Sequence, residues 1–168
     1  MASGSESYQP LPLLPYRFRF VGYTLILLSF GATYLYFWGG RPPFFEVPVF
    51  AIVTSYVETR WFVLAQTNLL DEIAVVFMIA GLVSIFFSRE KEEDDIYAKL
   101  RVKSLFLSVY ITSGLLLLIY LTIFGWPVFI AIAFSYMLFL IVSVINFRIL
   151  KIKYQKSVRS ANNNKEGL

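Results

Sequence analysis

The sequence predicts an all-α membrane protein: four transmembrane helices, an outer interfacial segment, and a cytoplasmic amphipathic helix leading into the third span. Three observations carry this expectation. Phe20 to Trp38 holds no charged residue in 19 positions, Leu105 to Phe124 none in 20, and Pro127 to Phe147 none in 21. At about 1.5 Å per helical residue, each covers roughly the 30 Å of a hydrocarbon core. Ile73 to Phe87 is a shorter apolar run, extended back through Leu69 and Leu70 so that Asp71 and Glu72 stand at the interface. Finally, thirteen of the fifteen bases fall in residues 1–19, 88–104 and 148–168, leaving only Arg41 and Arg60 between 39 and 72. By the positive-inside rule, both termini and the 88–104 connection are expected in the cytoplasm. The expected organisation is a single integral membrane domain, 1–168, with spans near 20–38, 69–87, 105–124 and 127–147 and a cytoplasmic tail at 148–168.

Met1 to Pro15 is polar and then proline-bearing, which predicts disorder or a position on the membrane surface. Arg17 and Arg19 precede the first span. That span ends in TYLYFWGG without a small-residue cleavage site, so an uncleaved anchor is expected rather than a signal peptide. Gly31 and Ala32 are candidates for close helix packing.

Gly39-Gly40-Arg41-Pro42-Pro43 ends the helix, and the stretch to Thr67 carries too much charge and proline to cross the bilayer. Phe50, Val53, Val57, Trp61 and Leu64 recur at helical spacing, which predicts a short helix lying in the outer interface. A sharper alternative is a ligand or partner groove built from Tyr56, Trp61 and Phe62. Asn68 stands where an N-cap for the second span is needed, and Asp71 and Glu72 suit the positive end of that helix. Asn68, Asp71 and Glu72 are therefore also the candidate outer-face polar site, although adjacent helical residues diverge by about 100° and do not make a facing acid/base pair.

Ser88 to Ser104, SREKEEDDIYAKLRVKS, is the dense charge cluster between two apolar runs, with five bases and five acids. Its acids come mostly first, as suits a helix starting near Glu92 to Asp94 and running into Leu105. Ile96 and Leu100 share one face, and Lys99, Arg101 and Lys103 are expected around the rest. The candidate partner-docking residues are Arg89, Glu90, Lys91, Glu93, Asp94, Asp95, Lys99 and Arg101. Ala80 and Ser84, Ser108 and Thr112, and Ala131 and Ser135 are small-residue pairs at helical spacing. Gly125-Trp126-Pro127 predicts a tight hairpin between the last two spans, and the tail is expected to begin helically and to attract anionic lipid.

The chain has neither cysteine nor histidine, which removes thiolate chemistry, the commonest general base and the commonest transition-metal ligands. None of the predicted spans holds a charge at mid-membrane depth, where ion pathways and proton relays ordinarily need one. Serines and threonines within the spans are expected to bond back to their own helices. No phosphate-binding loop, nucleophile elbow or metal-ligand spacing occurs. No catalytic residue, cofactor or metal is expected, and nucleic acid is not implied.

The run FSREKEEDDIYAKLRVKSL at Phe87 to Leu105, preceded by TNLLDEI at Thr67 to Ile73, resembles the pattern F-S-[KR]-E-K-x-E-D-[ED]-x-I-x-x-L-R-x-x-S-L after T-N-x-x-D-E. That pattern is shared by a family of small uncharacterised bacterial inner-membrane proteins. The resemblance covers about the middle third of the chain and implies four spans and a bacterial host, without an activity. Ser113-Gly114 stands where that family would carry an asparagine. The functional expectation is a non-enzymatic integral membrane module, a subunit or sensor-like partner in the bilayer with a cytoplasmic docking face at 88–104 and a protein partner or second copy. The alternative is a small oligomeric transporter or channel.

Overall fold

A computed structural model describes residues 12–54, 59–91 and 94–166. Among the described residues, four helices are long and apolar enough to cross a membrane: α1 (Phe18–Phe37), α2 (Leu70–Phe87), α3 (Asp95–Thr122) and α4 (Trp126–Glu166). Between α1 and α2 lies a β-hairpin, β1 (Glu46–Thr54) and β2 (Arg60–Asn68), entered through a 3-10 turn at Pro43–Phe45. The chain divides into two compact units. One is Phe20–Val83, and the other takes the N-terminal stretch through Arg19 and everything from Ser84 onward.

In the Phe20–Val83 unit, α1 and α2 run antiparallel. The Ser29 hydroxyl donates to the Ala74 carbonyl at 2.7 Å. One and two turns away, Gly81 faces Ile26 and Gly22 so closely that an added Cβ would lie 2.7 Å from the Ile26 side chain and 2.9 Å from the Gly22 carbonyl. Small residues at this crossing let two backbones approach where lipid supplies no hydrophobic drive. Ala32, Leu70 and Ala74 form a small core with Tyr36, Ile73 and Phe45 packed against it. Gly31, the glycine singled out from sequence, has open space around it instead.

The expected interfacial helix is absent: described residues 46–54 and 60–68 form two antiparallel strands, in register from Glu46 opposite Asn68 to Thr54 opposite Arg60. The apolar positions fit a helical wheel, but Val47, Val49 and Ala51 also alternate, as do Val63, Ala65 and Thr67. β-branched residues with period two favour a strand. Pro48 would cost a helix interior a hydrogen bond, whereas each strand of a two-stranded sheet has an edge on which a missing N–H is tolerated. Tyr56 and Val57 lie outside the described residues, so of the proposed aromatic groove only Trp61 and Phe62 can be placed, both exposed on β2.

In the other unit, α3 and α4 are an antiparallel hairpin turned at Gly125, whose φ of +81° is one a glycine adopts without strain. The buried seam between them is polar. Ser104, Ser108 and Thr112 line α3, Ser143 and Asn146 line α4, and Asn146 Nδ2 donates to Ser108 Oγ at 3.0 Å. The hydroxyls mostly bond back to carbonyls one turn earlier, Ser108 to Ser104 and Thr112 to Ser108, so small residues close the seam without leaving polar groups unmet. Helix α4 is 41 residues long, about 60 Å and twice a hydrocarbon thickness. Its C-terminal half therefore extends beyond any bilayer its apolar half crosses.

Candidate functional site

Most of the polar structure of the second unit gathers where four segments meet: residues 12–19, the stretch after α2, the first turns of α3, and α4 beyond its apolar half. The N-terminal stretch, expected to be disordered or surface-bound, is held from Leu14 onward, while residues 1–11 lie outside the described residues. Leu14 N–H donates to the Phe87 carbonyl at 2.8 Å, and Arg89 N–H donates to the Leu14 carbonyl at 2.8 Å. This two-bond parallel bridge fixes Ser88 beside Leu14.

Glu90 follows immediately and turns inward, its side chain 5% exposed. Arg19 grips it with both terminal nitrogens, at 2.8 and 2.6 Å, and Lys151 of α4 adds a third bond at 2.7 Å. Burial pushes the Glu90 carboxyl up, but the hydrogen bonds and charges of Arg19 and Lys151 outweigh it and bring the pKa down to about 2. A carboxylate held that low does not exchange a proton near neutrality, so its chemistry is that of a fixed anion joining two cations.

Arg101, expected on the outside of α3, is 1% exposed. Its Nη1 donates to the carbonyls of Phe86 and Ser88, the latter at 3.0 Å. Its guanidinium lies 4.7 Å from the Phe147 ring centre and 6.0 Å from that of Phe86. The carbonyls it caps are among those that the end of α2 leaves without helical partners, and the aromatic rings shield the bonds from water. Nearby, Tyr97 and Tyr154 meet edge to face at 6.3 Å, and Lys151 Nζ stands 5.5 Å from the Tyr97 ring.

Comparison with known families, characterised proteins and solved structures finds no match.

Of the residues expected to form a docking face, Glu90 and Arg101 are internal, while Arg89, Lys91, Asp94, Asp95 and Lys99 are exposed. Glu93 lies outside the described residues, as does Glu92. Sequence reasoning missed Arg19 and Lys151 as partners of Glu90, because nothing local connects positions so far apart. A signal did exist for Arg101: Ala98, Arg101, Ser104, Ser108 and Thr112 follow helical spacing, so the arginine sits on the small-residue stripe that faces α4.

In the Phe20–Val83 unit, Asn68 caps the start of α2. Asn68 Oδ1 accepts from Leu70 N–H at 3.2 Å, and its amide donates to the Pro42 carbonyl at 3.4 Å. Asp71 and Glu72 are exposed in the first turn of α2. Among the described residues no group of histidine, cysteine, aspartate or glutamate is arranged to hold a metal.

Proposed function

We propose that this protein is a non-enzymatic multi-pass module of a bacterial inner membrane, with both termini cytoplasmic, and that the 88–104 stretch is a docking face for a cytoplasmic protein partner. One observation carries the reading. The acid and the base that turn inward, Glu90 and Arg101, bind the stretch to the N-terminal segment, to α2 and to α4, leaving Arg89, Lys91, Asp94, Asp95 and Lys99 at set positions on the outside. Charges displayed on a pre-ordered backbone lose less entropy on binding than charges on a flexible loop, and their pattern selects a partner.

The meeting of Leu14, Glu90 and Lys151 supports a common side for all three segments, and thirteen of fifteen bases support the cytoplasm. The β-hairpin then belongs to the opposite surface. The four-span architecture and the 87–105 pattern are in keeping with the bacterial family that the sequence resembles.

The test is exchange of the exposed charges alone, Asp94 and Asp95 with Lys99 and Lys103, followed by purification in a gentle detergent. We expect normal insertion and only a small fall in melting temperature from the lost helix-dipole match, with loss of a stoichiometric partner that the unaltered protein retains. Recovery of every partner by the exchanged variant overturns the docking face. An unaltered protein that purifies only with itself favours the oligomeric transporter or channel.

A further inference from the structure

The seam between α3 and α4 is closed in one half only. Among the described residues, no side chain of α3 beyond Thr112 is buried, and none of α4 before Leu140. In the half next to the Gly125 turn the two helices instead flank an open groove of about 350 Å³, lined by Ser113, Leu116, Leu117 and Tyr120 of α3 and by Val128 and Ile132 of α4. Small residues leave its room: Ser113 stands at the deep end, and Gly114 beside it has open space where a Cβ would be. Such a volume falls within the roughly 300–1,000 Å³ of small-molecule sites, whose walls are likewise mostly apolar with a few polar groups.

Depth and width indicate the occupant. Ser113 lies near the middle of the charge-free run Leu105 to Phe124, and Tyr120 lies near its end. The groove therefore follows α3 from the centre of the hydrocarbon toward one interface, over roughly 10 Å at about 1.5 Å per residue. Spread over that depth, about 350 Å³ leaves a mean cross-section of about 35 Å², well under the roughly 80–110 Å² of a helix about 10–12 Å across. A helix of a second copy does not enter a space so slim, whereas one extended hydrocarbon chain does. Water does not fill it either, because the lining side chains offer only the hydroxyls of Ser113 and Tyr120, fewer partners than a buried water needs. Left empty, the walls would forgo their dispersion contacts. Tyr120 brings a hydroxyl to the interfacial end, at the level where the ester groups of a lipid lie.

We propose that this groove holds one acyl chain of a bilayer lipid, its ester end at Tyr120 and its tail toward Ser113. The site is independent of the docking face at 88–104. The test places the full chain in phosphatidylcholine vesicles doped with a phosphatidylcholine that carries a photoreactive group on its acyl chain. Irradiation is expected to label Leu117 and Tyr120 several-fold more than Leu118, which is 57% exposed at the same depth but outside the groove. Ser113→Phe fills the deep end and is expected to lower the groove labelling several-fold while leaving Leu118 unchanged. Ile132→Phe fills the groove from α4 should Ser113→Phe insert poorly. Because the chain has no cysteine, Leu117→Cys by itself reports a neighbouring copy, and no disulfide-linked dimer is expected under a mild oxidant. Equal labelling of Leu117 and Leu118, no response to either filling variant, a Leu117→Cys dimer, or a co-purified ligand without an acyl chain that the filling variants release each overturn the proposal.

Discussion

The guanidinium of Arg101 in α3 lies 4.7 Å from the centre of the Phe147 ring in α4 while it donates to the carbonyls at the end of α2. One side chain thus joins three helices. A planar guanidinium can stack and donate in its plane at once, which an ammonium cannot. Arg101→Lys is expected to destabilise the protein by about 1–2 kcal/mol and Arg101→Ala by about 2–4 kcal/mol, the larger loss reflecting two carbonyls left without a donor. Thermal or chemical unfolding in detergent measures both, and a lysine variant as stable as the parent contradicts this role.

Glu90 gives a pH dependence. Its pKa is lowered in the folded state to about 2, so its contribution is fully present above the ordinary carboxylate range and is lost as the pH falls from that range through about 2. Stability in detergent should therefore decline in acid. Glu90→Gln should lose about 2–4 kcal/mol at neutral pH, because two cations keep their positions without their anion. It should also show a shallower acid decline than the parent.

Two glycines should respond oppositely. Gly81→Ala forces a Cβ against the Ile26 side chain and the Gly22 carbonyl, and a cost of about 1–3 kcal/mol is expected from the overpacked crossing. Gly31→Ala meets open space and should be neutral or stabilising by up to about 1 kcal/mol through helix propensity. Melting temperatures of the two variants decide the matter directly.

The Asn68 cap supports a smaller prediction. Asn68→Ala removes the acceptor for Leu70 N–H and should cost about 1 kcal/mol. Asn68→Asp, which keeps an acceptor oxygen, should recover most of it.

Topology is tested with a reporter active only in the cytoplasm. Placed after Leu168 or near Glu92 it should be active, and placed near Arg41 it should be silent. The reverse pattern would invert the proposed orientation and move the charged face to the other side of the membrane.

The helices were legible because runs of about twenty residues without charge admit few alternatives in a chain that must satisfy its backbone in lipid. The hairpin was not, because Phe50, Val53, Trp61 and Leu64 fall on one side of a helical wheel, although in the hairpin Phe50 and Leu64 share one face and Val53 and Trp61 the other. Pro48 and the β-branched alternation were the features to weigh more heavily. The charged stretch was legible in position but not in direction. Charges close in sequence suggest a solvated face, whereas Glu90 and Arg101 are drawn inward by Arg19, Lys151 and Phe147, each more than forty residues away in the chain.

That separation bears on the order of synthesis. Glu90 is 71 residues from Arg19 and 61 from Lys151, so the anion leaves the ribosome after its first cation and well before its second. Until α4 has been made and inserted, Glu90 holds only half of its final partners, and Tyr97 and Arg101 wait for Tyr154 and Phe147. A nascent chain halted before Lys151 therefore has Glu90 joined to Arg19 alone, and the third bond closes, together with the Tyr97–Tyr154 and Arg101–Phe147 contacts, only when the last helix is in place.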